Sequence, residues 1–320
     1  MRAIPGLVAV DQSLDAFLAA NTHAFARSEL LSQWSRTALE NAVRAARAIR
    51  ILPGIYSGTE HQLHPVVKAE AATLWAPRAL LTGALALHVY CPALPPPRHV
   101  DLATANGDTL HAPGWIRVHQ TRRLPPYGLP GGIRCVPPAR ALLDAWRFSP
   151  PLERRSLLWE ALWARACTYR QVARELERAP RVAGRRDLER VLGWFAEGAT
   201  SPLEVRAKHE TFADARFREF EWQVPLMLPS RRATPDMLHR RAMVAVELDG
   251  DRYHSTRAAR DADRDRQTDL TAAGYAVLRF GWRDVVDRPQ WCRDRVLTTV
   301  AGRLAAPSRS SVPRIDRNGH

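Results

Sequence analysis

The chain has 320 residues and a mass of 35.9 kDa, which at roughly 100–200 residues per domain allows two or three domains. Hydrophobic residues make up 46% and charged residues 25%, globular proportions that exclude wholesale disorder, and no run approaches the ~18 uninterrupted apolar residues of a membrane span. The net charge of +14, from 47 basic over 33 acidic side chains, predicts a polyanionic partner, which in a cytoplasm is most commonly nucleic acid.

The first residues, MRAIPGLVAVDQSLDAF, lack the apolar core and small-residue cleavage site of a secretory signal. Cys91, Cys135, Cys167 and Cys292 form no CxxC pair, so a zinc ribbon or redox pair is excluded. Scattered thiols fit a reduced, cytoplasmic protein. The charge is uneven: residues 1–200 carry 25 basic and 16 acidic side chains, and Lys68 and Lys208 are the only lysines.

From residue 12 the pattern predicts three helices and a hairpin. Leu14, Phe17 and Leu18 have helical spacing. Ser28 is the expected cap of a second helix, and Arg36–Arg47 the third, with Leu39 and Val43 on its apolar side. IRILPGIYS follows, two apolar strands around the turn signal Pro53-Gly54. Three helices and a hairpin over residues 1–58 make a winged helix-turn-helix. Its third helix would enter a major groove, with Arg36, Arg44 and Arg47 as DNA contacts. The alternative is a packing unit that makes only protein contacts.

Residues 59–180 read as an α+β middle domain. Ala69–Leu87 is expected to be helical, broken near Pro77, and Val100–Ala105 and Trp115–His119 alternate as strands. Helices are predicted after Pro137-Pro138, over Leu152–Arg165, and over Tyr169–Arg178 with Thr168 as cap. His88, His99, His111 and His119 are scattered, and Trp159 and Trp163 at i, i+4 spacing fit a core better than a stacking platform. Residues 181–200 read as a linker, and the polar, Pro- and Ser-containing residues 307–320 as a disordered tail.

The block 201–306 holds the chemistry. Ser201-Pro202 starts a helix over Leu203–Ala215, carrying Glu204 and Lys208 four apart. Met243–Leu248 is nearly continuously apolar, as in a buried central strand. Glu247 and Asp249 lie two apart at its end and so share a face. Arg257–Ala273 reads as a helix closed by Gly274, Tyr275–Phe280 as a strand parallel to the first, and a last helix begins near Pro289. Asp236, Glu247 and Asp249 brought together at the end of an apolar sheet would repel one another. A divalent cation relieves that repulsion, and an all-oxygen set favours Mg²⁺ or Mn²⁺, with Glu204 completing the shell. The plainer alternative is that these acids sit in solvent and pair with arginines.

The run PD, ELDGDRYHS, then RDADRDRQTDLTAAGYAVLRFGW resembles the Vsr-like (very-short-patch-repair) endonuclease domain of the PD-(D/E)XK superfamily. The resemblance implies a restriction-endonuclease-like α/β fold, a mixed central sheet flanked by helices, that hydrolyses DNA phosphodiesters with Mg²⁺. It implies that Asp236 and Glu247 are the metal-binding acids, Glu204 an added helix acid, and His254 a group near the scissile phosphate. Asp249 stands where the superfamily has its ExK lysine, which leaves the general base and the charge-stabilising cation unassigned. His254 has an imidazole suited to proton transfer. Lys208, Arg264, Arg266 and Arg279 are candidate DNA contacts, although Arg264 and Arg266 could equally pair with Asp261, Asp263 and Asp269.

The layout RILPGIYS, ALLTGALALH, CVPPARALLDAW resembles the AbiEi-type antitoxin family over residues 12–175. That resemblance implies a mainly α winged helix with an accessory antitoxin domain. DNA is therefore the expected partner, with a toxin or a repair or defence protein as a second. No membrane association is expected, and one site per chain implies nicking or a homodimer. The competing function is a DNA-binding regulator or antitoxin with an inactive nuclease fold.

Overall fold

The computed structural model describes residues 12–197, 201–229, 232–249 and 267–306. The chain is mixed α/β and divides into two compact units between Gly193 and Trp194. Among the described residues no helix is long and apolar enough to cross a membrane.

The first unit opens with α1 (Leu14–Ala20), β1 (Phe25–Ala26), α2 (Arg27–Leu31), α3 (Arg36–Arg44), β2 (Ala48–Leu52) and β3 (Ile55–Gly58). Leu14, Phe17, Leu18, Phe25, Leu30 and Leu39 form one buried cluster. The expected hairpin is present, but β1 joins it on the far side of β3, so the sheet has three antiparallel strands in the order β1-β3-β2. Ser28 does not cap α2. It lies inside the helix, and the backbone N–H of Ala26, the cap position, donates to Glu29 Oε2 at 2.7 Å. Helix α3 ends at Arg44, three residues early, because Ala46 adopts a left-handed φ of +55°.

The unit continues with α4 (Pro65–Trp75), β4 (Leu80–Thr82), α5 (Gly83–Tyr90), β5 (Val100–Ala105) and β6 (Ile116–Thr121). The single broken helix expected over 69–87 is two helices with a strand between them. After Pro77 the chain pairs Leu80, Leu81 and Thr82 antiparallel with Ala103, Leu102 and Asp101, and β6 runs parallel to β5. Helices α6 (Pro138–Phe148), α7 (Pro151–Trp163) and α8 (Tyr169–Arg178) follow, and α9 (Arg185–Trp194) lies within the segment expected to be a linker, burying Leu188, Val191 and Leu192. The cap of α8 is as predicted: Thr168 Oγ1 accepts from Gln171 N, and Gln171 Oε1 accepts from Thr168 N at 2.8 Å. Trp159 is fully buried. His119 Nε2 donates to Oδ1 of the buried Asp101 at 2.7 Å and its ring stacks on Phe148, and His88 Nδ1 donates to the Leu94 carbonyl.

The second unit contains α10 (Pro202–Arg206), β7 (Glu221–Trp222), β8 (Leu226–Met227), β9 (Arg232–Ala233), β10 (Met237–His239), β11 (Val244–Asp249), α11 (residues 267–272), β12 (Ala276–Gly281), α12 (Trp282–Asp287) and α13 (Pro289–Ala305). Ser201 caps α10 as expected, but the helix does not run to 215. It passes into one π turn over Ala207–Thr211, in which Phe212 N donates to Ala207 O at 2.8 Å. The wider turn buries Phe212 against Phe217 and Phe280. The central sheet has the order β12-β11-β10-β7, with β11 and β12 parallel and the remaining pairs antiparallel. Gly274 closes α11 at φ +87°. Leu238, Ala245 and Leu270 pack together on one face of the sheet; Phe280 meets Trp291 of α13 on the other. The tail expected over 307–320 lies outside the described residues.

Two outcomes follow from this packing. Glu70 of α4 has no exposed surface and accepts from Ala24 N at 2.8 Å and pairs with His23 at 2.9 Å. Truncating it leaves a buried donor behind, so Glu70→Ala should cost about 3 kcal/mol in urea unfolding. Burial pushes the thiols of Cys135, Cys167 and Cys292 up to about 12. Titration of the native protein with a thiol reagent at neutral pH should therefore modify Cys91 alone, and all four cysteines only after unfolding.

Candidate functional site

In the second unit Glu247 and Asp249 lie at the end of β11, and Asp236 directly precedes β10. Met237 pairs with Val246 and Leu238 with Ala245, so the next step of the same ladder sets Asp236 opposite Glu247. Directly opposed residues share a face, with Cβ atoms ~5 Å apart. The juncture is pinned by Asp236 itself: its Oδ2 accepts from Leu248 N at 2.7 Å. This carboxylate thereby continues the antiparallel pairing past the end of β10.

The row extends to both sides. On β12, Arg279 is the register partner of Glu247. On the other side Met237 pairs with Trp222, and Gln223 N donates to the Asp236 carbonyl at 3.0 Å. Gln223, Asp236, Glu247 and Arg279 thus cross the sheet in one line. Gln223 holds a left-handed φ of +51°, and its side chain donates to Glu204 Oε2 at 2.5 Å. Glu204 Oε1 accepts from Ser201 Oγ at 3.0 Å. The predicted helix acid is therefore tied to the row through a glutamine.

The acids differ in setting. Glu247 is 5% exposed, because apolar β11 is central in the sheet. Asp236 is half-buried. Asp249, two residues further on, is 31% exposed and lies 3.6 Å from Arg279 Nη2. Arg279 Nη1 in turn donates to Gln267 Oε1 at 3.0 Å, from the described start of α11. Among the described residues no three His, Cys, Asp or Glu side chains stand together as a metal-binding group. The pair that the register opposes is Asp236 and Glu247.

Lys208 pairs with Glu197 at 3.1 Å, which holds that carboxyl below its usual range. His209 beside it stacks on Trp194, and its burial lowers its affinity for a proton. His254, Arg264 and Arg266 lie outside the described residues.

The first unit carries a second candidate surface. A groove between α3 and the hairpin is lined by Arg27, Arg36, Leu39, Glu40, Val43, Arg44, Arg50 and Tyr56. Arg36, Glu40 and Arg44 recur every fourth residue along one face of α3. Arg36 bonds Glu40 at 2.7 Å, and Arg44 bonds Asn41 at 2.8 Å. Arg47 is not among the lining residues: beyond the early end of α3 it pairs with Asp15 of α1 at 2.6 Å. Arg27 and Arg50, which the sequence pattern did not single out, arrive from α2 and β2.

Residues 230–300 match the family model REase_MTES_1575, a restriction-endonuclease-like family. No curated protein matches the chain. Over the matched span, which contains Asp236, Glu247, Asp249 and Arg279, the C-terminal domain is restriction-endonuclease-like.

Proposed function

We propose that the chain is a metal-dependent DNA endonuclease whose C-terminal, Vsr-like domain hydrolyses phosphodiesters and whose N-terminal winged helix binds the duplex. The observation that carries this reading is the hydrogen bond from Leu248 N to Asp236 Oδ2, which holds Asp236 beside the end of β11 that carries Glu247, inside the span that matches the restriction-endonuclease-like family.

The residues present fit a hard divalent cation. Mg²⁺ is commonly held by one or two carboxylates and fills its remaining positions with water and substrate phosphate. Asp236 and Glu247 would hold it. Asp236 is fixed for this by the Leu248 N–H, which donates to its Oδ2. A bound cation supplies Lewis-acid polarisation of the phosphate and a more acidic water. Glu247, at 5% exposure, is desolvated, and a carboxylate there interacts with a cation more strongly than one in bulk water. Gln223 and Ser201 both donate to Glu204, which would serve as an outer acid of the site. His254 remains the proposed proton-transfer group.

In the first unit, α3 would lie in the major groove with the hairpin as wing. Arg27, Arg44 and Arg50 would meet phosphates, contacts that fix position more than they read sequence. Arg36 is paired with Glu40 at 2.7 Å and would exchange that exposed partner for a phosphate on binding.

A second reading rests on Asp249, which occupies the place of the ExK lysine and faces Arg279. If that substitution silences the fold, the protein is a DNA-binding regulator or antitoxin. A toxin partner would then be expected.

Plasmid nicking by the purified chain in Mg²⁺, Mn²⁺ or EDTA separates the two readings. Nicking should need metal and fall about 10³-fold or more in Asp236→Ala and in Glu247→Ala, with DNA affinity little changed. DNA that is shifted in a gel but never cut would support the regulator. For the first unit, Arg44→Ala and Arg50→Ala should each lower the slope of log K against log salt by about one and weaken binding to all sequences alike. An unchanged slope would remove the groove from the DNA interface.

A further inference from the structure

Between Trp222 and Asp236 the chain leaves the central sheet and makes a separate two-stranded hairpin, β8 and β9. Over residues 223–235 its sequence, QVPLMLPSRRATP, carries two arginines and no acid. Strand side chains alternate between two faces, and this hairpin uses both. Leu226, Leu228 and Ala233 are buried in the cluster with Leu238, Ala245 and Leu270. Ala245 and Glu247 are two apart on β11, so the hairpin covers the face of the sheet that carries Glu247. On its outer face Met227 is 82% exposed, and its register partner Arg232 is exposed beside it.

A single exposed apolar side chain is ordinary on a protein surface. What sets Met227 apart is its place. Arg232 precedes Asp236 by four residues, a stretch that spans at most ~14 Å. One helical turn of a DNA duplex covers about 34 Å, so a duplex with a phosphate at Asp236 passes the hairpin within half a turn. A two-stranded ribbon is narrow enough to enter a major groove about 12 Å wide. Methionine is flexible and polarisable and suits irregular apolar contacts such as base edges and thymine methyls. Arginine beside it suits the phosphates that border the groove. A second copy of this chain is a poorer occupant, since a two-fold contact through so small a patch would set arginine against arginine.

We infer that the outer face of β8 and β9 is a DNA contact of the nuclease unit itself, with Met227 against base edges in a groove and Arg232 on a backbone phosphate. The inference rests on the endonuclease reading above, which puts the scissile phosphate at Asp236. Neither side chain takes part in the chemistry. The hairpin sets which phosphate reaches the acids, so Met227 is a specificity-determining residue and Arg232 a positioning residue.

The test uses the full chain, with binding to one duplex measured in EDTA. Arg232→Ala should lower the slope of log K against log salt by about one. Met227→Ala should leave that slope unchanged and weaken binding about tenfold at every salt concentration, and Met227→Leu should restore most of the loss. Nicks mapped on plasmid DNA in Mn²⁺ should fall at different positions in Met227→Ala and at wild-type positions in Met227→Leu. Both side chains are exposed, so the urea midpoint should not move in any of these variants. An unchanged slope in Arg232→Ala, or unchanged affinity in Met227→Ala, overturns the inference. A lower sedimenting mass in Met227→Ala with DNA binding intact also overturns it, in favour of a contact between copies. The binding measurements do not depend on cutting. A wild-type chain that makes no nicks in any metal, while both binding effects appear, overturns the endonuclease reading and leaves the hairpin as a DNA contact.

Discussion

The second unit depends on one register: Met237 opposite Val246, locked where the Asp236 carboxylate accepts the Leu248 N–H. Strand side chains alternate with a period of two, so a slip of one residue would turn Glu247 away from Asp236 and put Leu238 and Ala245 on the wrong face. The cluster formed by Leu238, Ala245 and Leu270 resists such a slip, because all three would lose their burial together. The apolar packing and the acidic pair are therefore consequences of the same alignment. The buried cluster holds the register, and the register holds the acids.

That alignment also explains why charges of both signs meet at one end of a hydrophobic sheet. Burying Glu247 is costly unless opposite charge or donors are supplied. Arg279 stands in register with Glu247 on the neighbouring parallel strand, donates to Gln267 and pairs with Asp249 at 3.6 Å. The π turn after α10 works on the opposite side of the problem. By seating Phe212 against Phe280 it fixes the helix that carries Glu204, whose carboxylate reaches Gln223 in the same row.

In the first unit a single backbone conformation sorts the arginines. The left-handed Ala46 ends α3, so Arg36 and Arg44 stay on the helix face while Arg47 turns to Asp15. A helix over 36–47 would carry all three together, since each spacing is compatible with one face. Arg27 and Arg50 each belong to a different element, and one arginine in a short helix or strand carries no pattern. The two-residue strands β1, β7, β8 and β9 were invisible for a related reason: two residues cannot display an alternation. Ser28 was a false cap because a glutamate three residues beyond the true start satisfied the backbone donor instead.

Local chemistry was legible directly. Thr168 with Gln171, Ser201 with Pro202, Gly274 after a helix, and the apolar run ending in Glu247 each act within a few residues, so order along the chain is enough to reveal them. The acids Asp236, Glu247 and Asp249 could be named from the chain, as could the absence of a lysine among them. Their arrangement could not. Whether Asp236 stands opposite Glu247, whether Glu204 joins them directly or through Gln223, and which cation faces them are matters of register and of the crossing between strands. Those are set by which apolar faces bury together across the whole unit, a sum over distant residues that no single stretch of sequence contains.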